Sequence, residues 1–549
     1  MSGKCTRLDI GFLAASLAVT LSGDFLYSRV AGYGTVWNMV CGLLLAVLFL
    51  RFKVFDRQVL LGRENLLLSA VSALSFYLTL RQRLSTGLTW CAILLLFVCS
   101  MFLFPALKKA IAALPRALGR CELLKGHPYP AAVFVFLYAL AAMGLFWRHF
   151  FPYGYSPDVL NQLDQIHGVI AYSDVHAIGH TLFLKALLSI WDDLGFVVAV
   201  QLVMVAFLFA LMTAYFTKKG IPFTFCLLLT GIFHISCAVL KPYVTPWKDT
   251  PYLFCVGLLS WLLMRRQEEG EEKGWIAVLM GLALAGILLF RLNGIVIFLF
   301  TGICLFLDAV RNKRRKTLLL TFSAFVFLFG GVQFYAYRVL HTQSPVNGFS
   351  VQVFGTAIAA AVMDGRMTEE EYAAVTEQLP AAWIEEKYRD WQLGDLLWGS
   401  DYTPLIEDDP DMEVFNNTFV VSMGAHKKEV IALYFQLLPR HWLTYLKNIV
   451  QGTRIIWGHE GFSKAVLVFD HVALVMYLYL AGSVFIKPLT GAKGWWLPFM
   501  PAVMNTLSIA ISTVTNEERY LLPMFALWPM LFCYILSHAA AEKKVCYYS

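Results

Sequence analysis

The run Phe196–Phe216, FVVAVQLVMVAFLFALMTAYF, carries no charged residue and decides the fold class. About 20 apolar residues in a helix cross the hydrocarbon core of a bilayer, so this run reads as a membrane span. Leu43–Leu50, Ile93–Phe104 and Ile276–Phe290 repeat the pattern. Of 549 residues, 58% are hydrophobic and only 15% are Asp, Glu, Lys or Arg, against about 25% in soluble domains. The expected fold is an all-α polytopic membrane protein, which excludes nucleic-acid binding and soluble Rossmann or TIM-barrel chemistry.

Apolar periodicity predicts fourteen spans, near 9–27, 35–50, 65–80, 88–106, 129–150, 195–216, 222–240, 251–264, 275–290, 294–309, 317–338, 465–486, 495–514 and 520–539. The short connections on one side hold 25 Lys and Arg, including the Arg311–Lys316 cluster, against eight in the short connections on the other. Basic loops stay in the cytoplasm, so both termini are expected there, with the chain in the cell (plasma) membrane. The first span lacks a small-residue cleavage site and reads as an uncleaved helix.

This pattern divides the chain into an N-terminal four-helix module, 1–110, and a membrane core, 129–340, with an external loop at 151–194. A mainly helical external region, 341–463, and a three-helix segment, 464–549, follow. The external loop is short and polar enough for interfacial helices. Within the external region, Thr368 and Glu371 have capping-box spacing, and Gly365, Pro380, Gly394, Pro404 and Pro410 punctuate several short helices. Residues 364–413 hold 15 acidic and three basic residues, leaving 41 basic against 22 acidic elsewhere. A solvated face is the plain reading of that acid surplus, with attraction of cations as the other. None of the eleven cysteines falls in 151–194 or 341–463, so disulfides are not expected.

The polar residues capable of chemistry gather on one side. In Ser156-Pro157-Asp158, Ser156 is an expected N-cap and Pro157 a first helical residue, which puts Asp158 in the first turn. Gln162 and Gln165 lie on the same helical face. The plain alternative is that Asp158 only complements the helix dipole. His176 and His180, four residues apart after Asp174, suit a metal, a phosphate or ordinary hydrogen bonding. The HExxH metalloprotease signature is absent, because Ala177, Ile178 and Gly179 intervene. Any metal would take ligands from Asp158, Asp174, His176 and His180, and a divalent cation is the one cofactor considered. Lys248 and Asp249, Arg291 and Asn293, His459 and Glu460, and Arg519 and Tyr520 recur at the same ends of later spans. For each basic residue alone, snorkelling is the plain reading. Together, Lys248, Arg291 and Arg519 suit a phosphate.

This order of loops, with Ser156-Pro157-Asp158 just after a span and Arg519-Tyr520-Leu521-Leu522-Pro523 near the end, resembles the GT-C superfamily of integral-membrane glycosyltransferases. The likeness is to a bacterial branch distantly similar to the protein mannosyltransferase and aminoarabinose transferase types, and it covers about 129–539. It implies a polyprenyl-phosphate-linked sugar donor and an envelope glycan, lipid or protein acceptor at the external face. Asp158 would be the general base, and Lys248, Arg291 and Arg519 would bind the leaving phosphate. Gln162, Asp174, His176, His180, Asp249, Asn293, His459, Glu460 and Tyr520 would contribute to substrate binding. The chain departs from the family in its four leading helices and in Val159, which stands where a second acid would pair with Asp158. The rivals are a transporter or flippase of lipid-linked or envelope precursors, suggested by Asp24, Asp470 and His471 inside spans, and a surface-glycan polymerase or ligase.

Overall fold

The computed structural model describes residues 126–154, 156–174, 176–233, 241–268, 273–312, 314–344, 351–388, 396–397, 418–452, 496–512 and 518–542, with isolated positions between 62 and 124. The expected spans near 9–27, 35–50 and 465–486, and all but scattered positions of those near 65–80 and 88–106, lie outside the described residues.

The described residues are nearly all helical and contain no strand; one isolated bridge joins Ser173 to Gln343. In chain order the helices are α1 (Pro128–Trp147), α2 (Pro157–Ile166), α3 (Ile178–Leu188), α4 (Leu194–Lys218), α5 (Phe223–Phe233), α6 (Asp249–Glu268), α7 (Gly274–Phe290), α8 (Ile295–Arg311) and α9 (Arg315–Val339). They continue with α10 (Gln352–Met363), α11 (Glu369–Gln378), α12 (Ala381–Lys387), α13 (Thr418–Ala425), α14 (Lys427–Gly452), α15 (Met500–Ser512) and α16 (Leu522–Glu542). Among these, α1, α4, α8 with its leading turn, and α9 are long and apolar enough to cross a bilayer, which makes this an α-helical membrane protein.

One core unites the apolar helices: Leu208 and Phe209 of α4, Leu259 of α6, Leu284 of α7 and Leu527 of α16 belong to it. On its outer side α9 exposes Phe327 and Phe334. Lipid is as apolar as these side chains, so close packing and buried polar contacts rather than burial alone select the helix partners. Tyr252 on α6 supplies one such contact, donating to Asn505 Oδ1 on α15 at 2.8 Å.

The segment from α10 to α14 has its own core, in which Ile358, Phe419, Leu433 and Leu437 are buried. The capping box at Thr368 and Glu371 forms as expected. The region departs from the expected set of short helices in one respect, because α14 runs for 26 residues through Pro439. A continuous apolar seam, Val430-Leu433-Leu437, ties it to the local core and offsets the proline.

Candidate functional site

Two backbone contacts bring distant segments together around Asp158. The Gly154 amide donates to the Val244 carbonyl at 2.8 Å, and a Cβ at Gly154 would strike the Thr245 hydroxyl. The loop after α1 therefore lies flat on the loop before α6, which sets Ser156-Pro157-Asp158 beside Trp247-Lys248-Asp249. A similar close approach of Gly179 to Leu289 seats the start of α3 against the end of α7. Both α2 and α3 are too short to span a bilayer, and they share a small core through Val159, Leu184 and Leu188.

Ser156 is extended and Pro157 opens α2 as expected, but the Ser156 hydroxyl does not cap the helix. It accepts instead from the Trp247 indole. Asp158 lies in the first turn of α2, and its role goes beyond the helix dipole. Arg519 Nη1 donates to Asp158 Oδ2 at 3.3 Å, and Lys248 Nζ lies 3.7 Å from the same oxygen. Burial works to raise the Asp158 carboxyl, but Lys248 and Arg519 outweigh it and hold the group well below the usual carboxylate range.

Lys248 Nζ also lies 3.4 Å from His176 Nδ1. An ammonium has no lone pair, so the imidazole accepts there and is neutral. Burial first, and then the neighbouring Lys248 charge, push His176 down to about 3. The same two causes push His180 to about 3. His180 shares a short polar chain inside the loop, its Nδ1 meeting Gln162 Oε1 at 2.9 Å while Gln162 Nε2 donates to Thr181 Oγ1 at 2.9 Å. Gln165 donates to Asn161 and Ser173. Gln162, Gln165 and His180 thus brace the loop.

The cations differ in ways that their types and positions along the chain do not reveal. Arg519 stacks over the Trp247 ring at 4.7 Å while it reaches Asp158. Arg291 is committed elsewhere: it pairs with Asp249, donates through Nε to Asn293 Oδ1 at 3.2 Å, and lies 4.3 Å over the Tyr520 ring. The expectation that Arg291 directly holds a phosphate is therefore corrected. Asp249 neutralises its charge, and its place is behind Lys248 and Arg519, joining the neighbours of both, Asp249 and Tyr520.

The four-residue metal set is also not assembled. Among the described residues no group of three or more His, Cys, Asp or Glu is placed to hold a metal ion. Asp158 faces two cations, which repel a third, and Asp174 Oδ2 accepts from Tyr337 at 2.8 Å and Ser344 at 2.7 Å. Asp174 thereby pins the loop to the last turn of α9 and the segment after it rather than joining the site. His459 and Glu460 lie outside the described residues.

Trp247 and Asn505 are the residues that the candidate set lacked. Asn505 Nδ2 donates to the Tyr520 carbonyl at 3.1 Å and fixes the turn that carries Arg519. An amide in the apolar stretch Met500–Ser512 was its one signal.

No protein-family model, curated protein or solved structure matches this chain.

Proposed function

We propose that the chain is a membrane transferase of the GT-C type, with fourteen spans and cytoplasmic termini. It would move a sugar from a polyprenyl-phosphate donor to an envelope acceptor at the external face. The observation that carries this reading is Asp158 held between Lys248 and Arg519, at 3.7 and 3.3 Å, on a loop beside apolar helices. A lipid phosphate keeps its chain in hydrocarbon while its headgroup reaches such a loop, and two cations around one oxygen suit a phosphate anion.

The chemistry follows from exchanging one anion for another. At rest, Asp158 offsets part of the positive charge of Lys248 and Arg519 and is a weak base. A donor phosphate that engages both cations removes that stabilisation and sets a second negative charge beside the carboxylate, which raises its proton affinity. The acceptor hydroxyl then attacks the anomeric carbon and passes its proton to Asp158. The sugar–phosphate C–O bond breaks, and the polyprenyl phosphate leaves with the electron pair against Lys248 and Arg519. His176, neutral and beside Lys248, accepts a hydrogen bond and orients the ammonium without adding charge.

The test is release of free polyprenyl phosphate from a lipid-linked sugar by the purified protein in nanodiscs, with and without an acceptor extract. Release above that of an Asp158→Asn protein supports the transferase. Movement of intact donor between leaflets of a vesicle, with no release, would favour the flippase reading.

A further inference from the structure

We propose that α14 is an interfacial helix whose outward stripe rests in the phospholipid surface on the same side as Asp158. The inference does not depend on the transfer chemistry. One face of α14 belongs to the external core through Val430, Leu433, Leu437 and Tyr445. The opposite face is apolar as well: Phe435, Trp442 and Leu446 are 58%, 57% and 48% exposed, and Leu443 lies beside them. Spacings of seven, eight and eleven residues from Phe435 put these side chains on one stripe of a 3.6-residue helix. A water-facing helix has no reason to carry a tryptophan and three large aliphatic or aromatic neighbours in line.

Three features identify phospholipid as the occupant. Tyr337 and Ser344, which flank the exit from α9, both bond Asp174, so the chain enters this region on the side of the Asp158 loop. Furthermore, α14 packs against α15, one of the apolar helices of the membrane core, which brings it to the bilayer edge. Exposed Lys427, Lys428 and Lys447 mark its two ends, as suits an amphipathic helix on an anionic surface, and tryptophan favours the headgroup level. A helix fixed there would hold the external region down over the loop that carries Asp158.

The experiment uses the full chain in nanodiscs containing phosphatidylcholine and phosphatidylglycerol with a photoactivatable diazirine on the acyl chain, followed by mapping of the labelled residues. Labels are expected at Phe435, Trp442 and Leu446, as at Phe327, which is 82% exposed on α9 and serves as the positive control. Arg440, on another face of the helix and paired with Glu371 at 3.1 Å, should stay unlabelled. The Trp442→Ser, Leu446→Ser double variant should keep its helicity and its Phe327 labels while α14 labelling falls. Labelling of Phe327 with α14 bare would overturn the proposal. So would a short bifunctional reagent joining α14 to α14 of a second copy, because the stripe would then be a dimer contact.

Discussion

Arg291, on the turn after α7, is paired with Asp249, the first residue of α6, and both side chains are buried. The pair is also a hinge pin for the site: Asp249 follows Lys248 in sequence, and Tyr520 beneath Arg291 follows Arg519. A latch of this kind fixes the spacing between Lys248 and Arg519 without touching what they bind.

Removing either partner alone should therefore be costly. Arg291→Met or Asp249→Leu leaves one buried charge uncompensated, at about 3–5 kcal/mol. The double variant removes both charges and should recover most of that stability, as thermal unfolding in detergent would measure. It should still bind a lipid phosphate less tightly than the parent, because Tyr520 has lost its clamp. Full donor affinity in the double variant would show that the pair is only structural.

Sidedness gives a second prediction. Leu160 on α2 and Asn312 after α8 are both exposed. The topology proposed from the division of basic residues would put them on opposite faces of the membrane. Leu160→Cys should react with an impermeant thiol reagent added to intact cells, and Asn312→Cys should react only after lysis. The reverse pattern would invert the orientation and remove the external transferase with it.

The helices were legible because they rest on local composition: a span expected at 195–216 is α4 at Leu194–Lys218, and one at 129–150 is α1 at Pro128–Trp147. Asp158, Lys248 and Arg519 were legible as polar residues at the same ends of apolar runs. Roles were not. Ser156 has every local feature of an N-cap, yet its hydroxyl accepts from an indole 91 positions away. Arg291 and Arg519 look alike in sequence, and only packing assigns one to Asp249 and the other to Asp158. Asp174 looked like a ligand because its partners, Tyr337 and Ser344, lie more than 160 residues further on.

Stability should fall in mild acid because of the histidines. His176 and His180 are lowered to about 3, below the unfolded value near 6.5. Between those limits the unfolded chain binds protons that the folded one does not, so stability rises with pH. It is complete above about pH 7 and is lost as pH falls through 6.5 towards 3, at up to about 1.4 kcal/mol per pH unit for each histidine. Asp158, depressed below its unfolded value, adds a loss in the same direction at the acid end of that range. Melting temperatures from pH 7.5 to 4.5 should drop steeply for the parent and less for His176→Gln. Parallel curves for the two proteins would mean that His176 takes up its proton equally in the folded and unfolded states.

The most discriminating prediction concerns Asp158→Asn, because binding and turnover should move in opposite directions. Asp158 competes with an incoming anion for Lys248 and Arg519, its Oδ2 lying 3.7 and 3.3 Å from them. The asparagine keeps the size and can still accept from Arg519, but it no longer offsets their positive charge. Affinity for polyprenyl phosphate should therefore increase, as titration in nanodiscs would show. Turnover should fall by about 10²-fold or more, the usual contribution of a general base, because the amide takes no proton from the acceptor. Arg519→Ala supplies the contrast: it removes one charge-assisted contact and should weaken phosphate binding by roughly 10- to 100-fold, equivalent to about 1.5–3 kcal/mol. Asp164→Asn, on α2 but outside these contacts, should leave both quantities unchanged. An Asp158→Asn protein that binds more weakly yet turns over at the parental rate would sink the proposed exchange of anions and leave Asp158 as a structural counter-charge.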